Sequence, residues 1–351
     1  MKLLRIIIIL ALSLFCLQFC MCPAKNPYTN PTNKYIIALN PTDKYIDAVT
    51  DLDKIKRLID KGEDMNALDK GSGLAPLHAI VEFVNKNTIF AKQDLENYTK
   101  DEIDKKKDIV ERYYHAAELL LDNGANVNVT DKHGSTALNY CKDIRCAKFF
   151  LKYGADINIG SPFHDATCSY ATDLVKLYIA SGADVNARSP EGRTLLFCGV
   201  GGKVTEILIK NGADVKVKDI NGETPLFHWK NSDSAIELMI KNGADVNAKN
   251  IKGETALFQP FLKPERVRLF VKYKINVNEQ DNTGKTVLHH ILSKEYPYPC
   301  DKLVLELLKN GAKVDIKDKV GKTSLDIASE LSNKSDYFKN LYELIFKYKD
   351  R

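Results

Sequence analysis

The sequence has no block of like charge, although it holds 51 lysines and arginines and 46 aspartates and glutamates. Basic and acidic residues alternate along the 351 residues, and the formal net charge at pH 7 is only +5. Proteins that bind nucleic acid present a basic patch or stripe. The charge pattern therefore argues against nucleic acid as a partner.

Cysteine is sparse beyond the N-terminal segment and shows no regular spacing. The cysteines after residue 24 are Cys141, Cys146, Cys168, Cys198 and Cys300. Because their number is odd and no spacing recurs, we do not expect a disulfide framework, and most of them are predicted to be small core residues. Cys141 and Cys146 have no second Cys or His pair at zinc spacing. We therefore expect no metal site and no cofactor.

The sequence also lacks a complete phosphate-binding loop. Gly-Lys-Thr occurs at 284–286 and at 321–323, but Glu279 and Ile316 stand where such a loop needs its first glycine. Both segments are predicted to be turns that begin helices.

What the sequence does contain is a repeated element. KNGADVN at 241–247 is almost a copy of KNGADVK at 210–216, and further copies begin at residues 122, 152, 180 and 309, with weaker ones at 60 and 272. Their central glycines follow one another at intervals of 30, 28, 30 and 31 residues from Gly124 to Gly243. A fixed period of this size is typical of a repeat solenoid.

Each copy has a short apolar run with helical spacing before its glycine, as in Val204, Ile207 and Leu208 before Gly212. The glycine fits the position after a helix end, where the backbone turns left-handed. A second element, Gly-x-Thr-x-Leu, follows downstream, and its threonine is predicted to cap the next helix. Each unit therefore reads as helix, turn, helix and protruding loop.

The unit that starts with DINGETPLF at 219–227 and ends with NGADVN at 242–247 resembles the ankyrin repeat, whose signature is T-P-L-H-x-A. The resemblance covers residues 43–351, about eight repeats plus end caps. It implies an all-α repeat solenoid, a stack of helix-turn-helix units with β-hairpin-like loops. It also implies a non-catalytic scaffold that binds another protein.

The chain departs from the signature in two ways. The signature histidine stands only at His78 and His289, and its place is taken elsewhere by Phe197, Phe227, Phe258 and Asn139. Periods of 30 or 31 residues, shorter than the usual repeat, predict that the first helix of a unit or its loop is cut short. His289 at the signature position is predicted to pack rather than to catalyse.

The N-terminal segment differs from the rest. Residues 1–24 place two positive charges before the apolar run 6–19, the arrangement of a secretory signal cleaved after Ala24. A lipid on Cys20 and an uncleaved anchor remain open. Residues 25–42 are predicted to be a flexible linker, and residues 85–108 an insertion within the repeats. We expect an exported, monomeric, bacterial protein of the periplasm, cell envelope or medium, which contacts a membrane only through its N-terminus.

By the resemblance, the protein partner would contact positions flanking the loop turns on a concave face. These positions are Lys132, His133, Ser135, Ser189, Glu191, Arg193, Lys218, Ile220, Asn221, Glu223, Asn250, Ile251, Lys252, Glu254, Asn282, Thr283 and Lys285. Two alternatives of other classes are a membrane-anchored structural spacer and an enzyme that uses His290 and Cys300.

Overall fold

The computed structural model describes residues 52–87, 98–169, 171–228, 230–259, 262–293 and 300–349. These residues form thirteen α-helices, four 3-10 helices and no strand, so the all-α fold class is confirmed. The helices α1 to α13 are, in order, Leu52–Asp60, Pro76–Asn87, Lys100–Asp122, Ile144–Lys152, Pro162–Cys168, Thr172–Ala180, Gly202–Lys210, Asp233–Lys241, Pro264–Lys272, Val287–Ile291, Asp301–Lys309, Ser324–Ser332 and Asp336–Phe346. The predicted signal or anchor, Cys20 and the linker lie outside the described residues.

The chain divides into two compact units, Met1–Ala137 and Leu138–Arg351. The described part of the first unit contains α1, α2 and α3. Helix α3 is 23 residues long and begins with a capping box between Thr99 and Glu102. Phe83 of α2 stacks on Tyr113 of α3 with ring centroids 5.2 Å apart. The ends of the predicted insertion thus extend these two helices, and its middle, residues 88–97, lies outside the described residues.

In the second unit, most of the second helices of the repeats have the same length. Six of them, α4, α6, α7, α8, α9 and α11, have nine residues each. Each buries an apolar stripe, such as Val204 and Leu208 of α7 or Ile236 and Met239 of α8. Full burial of such a side chain contributes about 1.5–3 kcal/mol. These stripes form the core between neighbouring repeats.

The period predicted a shortened first helix or loop, and in several repeats the first helix is the shortened part. Three of them are three-residue 3-10 helices, Leu195–Phe197, Pro225–Phe227 and Ala256–Phe258. A fourth 3-10 helix, Ala137–Tyr140, precedes α4. In the second unit, the first helices that are α-helical are α5, with seven residues, α10, with five, and α12, with nine.

The prediction that the repeated glycine follows a helix end in a left-handed conformation is also confirmed. Gly212 has φ +90° and donates its N–H to the Ile209 carbonyl, while the Ala213 N–H donates to Leu208. These two bonds form a Schellman motif, which needs a residue in the left-handed conformation. Lys274 occupies the same conformation without being glycine, at φ +63°.

The predicted capping role of the threonines holds only where a full helix follows. Thr323 caps α12, and its side chain accepts the Asp326 N–H at 3.0 Å. Thr194, Thr224 and Thr255 precede 3-10 helices instead, and their hydroxyls are buried without a hydrogen-bond partner. The prediction was wrong for these three because a three-residue helix leaves the capping hydroxyl no suitable N–H.

Two further findings concern cysteine and membrane contact. Cys141 and Cys146 form a disulfide bond across five residues, so the expectation of unpaired core thiols was wrong for this pair. Within the described ranges, no helix has both the length and the apolar character needed to cross a bilayer.

Candidate functional site

The loop tips are four-residue turns between repeats, at 189–192, 219–222, 250–253, 281–284 and 318–321. The first residue of a tip holds the turn with its side chain. Asp219 Oδ1 accepts the N–H groups of Asn221 at 2.9 Å and Glu223 at 3.0 Å. Asn250 Oδ1 does the same for Lys252 and Glu254. Local carboxylate or amide acceptors of this kind fix a turn without help from a partner.

Neighbouring tips are joined to one another by backbone hydrogen bonds. From the tip at 219 onward, the second residue of each tip donates its N–H to the carbonyl of the third residue of the preceding tip. The pairs are Ile220 to Glu191 at 3.0 Å, Ile251 to Asn221 at 2.9 Å, Asn282 to Lys252 at 2.8 Å and Lys319 to Thr283 at 3.0 Å. We call this series the tip ladder. Each bond is worth a net 0.5–1.5 kcal/mol, on the order of other neutral hydrogen bonds.

At two tips, the ladder brings backbones so close that the fourth position, Gly253 or Gly284, has no room for a side chain. A Cβ on Gly253 would lie 2.9 Å from the Asn282 nitrogen and 2.5 Å from its Oδ1. Gly253 also has φ +79°. The sequence pattern Gly-x-Thr therefore reflects contact between repeats as well as turn conformation.

A second bridge between repeats uses the last residue of the NGADVN element. Asn186 donates through Nδ2 to the Gly212 carbonyl at 2.9 Å, and its Oδ1 accepts the Asp214 N–H at 2.8 Å. Asn278 makes the same pair of bonds to Gly311 and Lys313. This bridge explains why the element ends in asparagine.

The predicted contact residues occupy three environments. The exposed ones are Lys132, His133, Ser189, Glu191, Lys218, Ile220, Asn221, Ile251, Lys252, Asn282 and Thr283. The half-buried ones are Ser135, Arg193, Glu223, Glu254 and Lys285. Asn250 is buried and bonds to its own loop, so the structure gives this residue a supporting position behind the exposed surface.

Arg193 connects two tips electrostatically. Its Nε lies 2.9 Å from Oδ2 of Asp219, whose side chain is buried, and its guanidinium also approaches Glu223. Burial and the nearby Asp219 raise the pKa of Glu223. Arg193 thus helps to hold the tips at 189 and 219 together.

The tips also expose large apolar side chains. Ile220 is 67% exposed and Ile251 is 65% exposed, although both belong to the most apolar class of residue. Val320, in the tip at 318, is exposed as well. Because Ile220 and Ile251 occupy equivalent positions in adjacent, bonded tips, they form a rigid apolar pair at the surface.

The enzyme alternative predicted that His290 and Cys300 act together. The His290 Nε2 lies 2.8 Å from Asp281 Oδ2, and the His290 ring meets Phe258 edge to face. Cys300 is buried beside the Tyr337 hydroxyl instead, and burial raises the pKa of its thiol. The two side chains have separate partners, and the geometry gives no nucleophile–base pair between them.

Sequence reasoning missed a cluster formed by His164, Cys168 and Cys198. Atoms of the three side chains lie within 4.8 Å of one another. The nearby Asp165 carboxylate and Cys168 raise the pKa of His164, and hydrogen bonds from Cys198 and His164 lower the pKa of Cys168. The cluster joins two repeats, so spacing within one repeat did not reveal it. Ser161-Pro-Phe-His164 resembles the T-P-L-H signature, so the expectation that the signature histidine stands only at His78 and His289 was wrong, and this segment was the available signal.

Comparison with known proteins identifies the repeat. A family model for ankyrin repeats, three copies long, matches residues 163–250 and 229–318. Residues 163–318 are ankyrin repeats. Ankyrin repeats are protein–protein interaction scaffolds, and none of the matches identifies a partner for this chain.

Relatives with ankyrin repeats come from several sources. An ankyrin repeat protein of variola virus is 36% identical over 104 residues, which is 27% of this chain and 19% of the viral protein. A fowlpox virus ankyrin repeat protein is 42% identical over 52 residues, 14% of this chain and 10% of that protein. The chain therefore matches only a small part of each viral relative.

A crystal structure of an ankyrin repeat domain from Acinetobacter baumannii is also similar to this chain. It shares 25% identity, covers 53% of this chain and 97% of its own, and gives a TM-score of 0.42.

Proposed function

We propose that the chain is an exported scaffold that holds a protein partner on the loop tips of its ankyrin repeats, with Ile220 and Ile251 at the centre of the contact. The observation that supports this most directly is the exposure of these two isoleucines on adjacent tips. Exposed apolar patches rimmed by polar residues mark interaction sites on soluble proteins.

The tip ladder favours the same surface. Because the tips are fixed by their own side chains and by each other, little conformational entropy is lost when a partner binds. Preorganisation of this kind raises affinity without adding contacts. Polar exposed neighbours, such as Lys218, Asn221 and Lys252, provide the solvated rim around the apolar pair.

Export rests on the N-terminal sequence pattern and gains support from the disulfide between Cys141 and Cys146. Disulfides persist in oxidising compartments and are rare in the cytosol. We expect native protein in the exported or membrane fraction, beginning at Lys25, carrying a lipid on Cys20, or retaining its uncleaved N-terminus in the membrane. Intact mass combined with fractionation checks this, and a full-length cytoplasmic product would refute export.

The binding surface is tested by photo-crosslinking in the native cell. A photoreactive residue replaces Ile220 or Ile251, and Ile144 serves as the control because it is an exposed isoleucine at the start of α4, away from the tips. We expect one saturable adduct from positions 220 and 251 and none from 144. Ile220→Asp with Ile251→Asp should abolish the adduct at a third tip position, Thr283, without changing helicity.

Different outcomes separate the alternatives. An adduct from position 144 and none from the tips would place the partner elsewhere. No saturable adduct at any position would favour the structural spacer anchored at the envelope.

A further inference from the structure

His164, Cys168 and Cys198 lie in the second unit and have no part in the proposed protein-binding surface. His164 and Cys168 are four residues apart on α5, so their side chains lie on the same helix face. Cys198 belongs to the next repeat and directly follows the 3-10 helix Leu195–Phe197. The stacking of two repeats brings the three side chains together.

The distances are those of a ligand set. His164 Nε2 lies 3.1 Å from Cys198 Sγ and 3.7 Å from Cys168 Sγ. In a tetrahedral zinc site, bond lengths of about 2.3 Å to sulfur and 2.0 Å to nitrogen place neighbouring N and S ligands about 3.5 Å apart. The three ligand atoms all lie within 4.8 Å of one another, and Cys168 Sγ is also 3.8 Å from His164 Nδ1, so rotation of the Cys168 side chain and the imidazole ring would be needed to bring both sulfurs to a shared ion.

The chemistry of the three side chains selects the ion. Two thiolates and one imidazole are soft and borderline ligands, which suit zinc and disfavour calcium and magnesium. Cys168 and Cys198 are outside any disulfide, and all three residues are half-buried. An ion can therefore reach the cluster from solvent, and a fourth coordination position is left for water or an outside ligand.

The surroundings of the histidine fit the same interpretation. Its other nitrogen, Nδ1, lies 3.9 Å from Asp165 Oδ1. Asn139 donates to the second oxygen of this carboxylate at 2.9 Å and holds it in place. Histidines that bind metal through one nitrogen commonly donate the other N–H to a carboxylate, which orients the ring, and the 3.9 Å contact would have to shorten by about 1 Å to become such a hydrogen bond.

We propose that His164, Cys168 and Cys198 bind one Zn²⁺ ion, with Asp165 as a positioning residue for His164. The site links two adjacent ankyrin repeats and leaves one zinc coordination position open. It is independent of the loop tips, so the loss of partner binding in the tip variants would leave the zinc proposal untouched.

The test uses the full chain, kept reduced at its free thiols with the Cys141–Cys146 bond intact, stripped of metal by a chelator and titrated with Co²⁺. We expect a thiolate charge-transfer band and the d–d bands of tetrahedral cobalt, both saturating at one equivalent. Zn²⁺ should then displace the cobalt. Alkylation of Cys168 and Cys198, read by peptide mass, should slow when Zn²⁺ is present.

Variants locate the ion. Cys168→Ser, Cys198→Ser and His164→Gln should each weaken Co²⁺ binding by about 100-fold or more, and Asp165→Asn by about 10-fold. Cys300→Ser and His115→Gln are matched controls, since Cys300 is buried beside Tyr337 and His115 is exposed on α3. Both should bind cobalt as the unmodified chain does.

Three results would overturn the proposal. The first is the absence of a tetrahedral cobalt spectrum at one equivalent of Co²⁺. The second is unchanged Co²⁺ binding in a double variant that carries both Cys168→Ser and Cys198→Ser. The third is a Cys168–Cys198 disulfide in the native protein, because oxidised sulfurs cannot serve as the thiolate ligands. Unchanged circular dichroism of each variant ensures that lost binding is not lost folding.

Discussion

The hydroxyl of Thr286 lies 2.8 Å from His289 Nδ1, which also accepts the Thr286 backbone N–H at 3.1 Å. His289 Nε2 therefore bears the proton and donates to the Lys322 carbonyl in the next repeat. In the preceding repeat Phe258 replaces the histidine, and the Thr255 hydroxyl is left buried without a partner. The same threonine is thus satisfied in one repeat and unsatisfied in its neighbour.

This difference predicts opposite effects of one substitution. Thr286→Val should lower the free energy of unfolding by about 1–2 kcal/mol, because a buried hydrogen bond is lost. Thr255→Val should be neutral or stabilising, because it removes a hydroxyl that has no partner. Urea unfolding followed by circular dichroism compares the two, and equal losses would contradict the hydrogen-bond assignment.

The tip ladder predicts that glycines with similar backbone angles differ in their tolerance of a side chain. Gly253→Ala should destabilise by about 1–3 kcal/mol more than Gly212→Ala, because its Cβ would press on the Asn282 backbone. Gly212 has φ +90° and open space around it, so its variant reports the conformational strain alone. Denaturation midpoints measured on the full chain give the difference, and similar midpoints would argue against the close approach.

The asparagine bridge predicts a stabilising substitution. Lys216 stands where Asn186, Asn247 and Asn278 bridge to the next repeat, and no described residue accepts the Asp245 N–H that such a bridge would use. Lys216→Asn should raise the free energy of unfolding by about 0.5–1.5 kcal/mol through the restored bonds. Asn278→Lys is the reciprocal variant, and its unfolding midpoint should fall.

His228 predicts a loss of stability in acid. Burial, together with Arg193 and Lys230, lowers the pKa of His228 to about 4, below its ordinary value of 6.5. The unfolded chain therefore takes up a proton before the folded chain does. As the pH falls from 6.5 towards 4, protonation of this histidine in the unfolded chain should lower the free energy of unfolding by up to about 1.4 kcal/mol per pH unit.

His228→Gln provides the measurement. Gln259 occupies the equivalent position in the next repeat and donates to the Leu226 carbonyl, so glutamine is compatible with the site. We expect a flatter dependence of the unfolding free energy on pH between 7 and 4.5, with the remainder due to buried histidines such as His289, whose pKa burial also lowers. Parallel curves for the two proteins would contradict the assignment.

The period of the sequence predicted the repeat, the glycine turn and a shortening of the first helix or its loop, because each depends on residues close in the chain. Gly212 specifies its turn by its own conformational freedom, and the spacing to Gly243 limits the length between them. Sequence patterns of this local kind need no knowledge of packing.

Contacts between repeats were less predictable. A threonine before a leucine looks the same whether it caps a helix, as Thr323 does, or faces a 3-10 turn, as Thr255 does. His164 and Cys198 meet only because two repeats stack in register. Asn250 looked like a surface residue because the loop is polar, yet the loop's own N–H groups require its oxygen inside.

The tip ladder and the asparagine bridge also bear on how such a chain can change length in evolution. In both, each repeat supplies a donor on one side and the matching acceptor on the other. Duplication or loss of a whole repeat in the gene would therefore rejoin compatible ends, whereas insertion of a single residue inside a tip would break bonds to two neighbours. The chain can gain or lose binding surface in whole-repeat steps while every remaining junction keeps its hydrogen bonds.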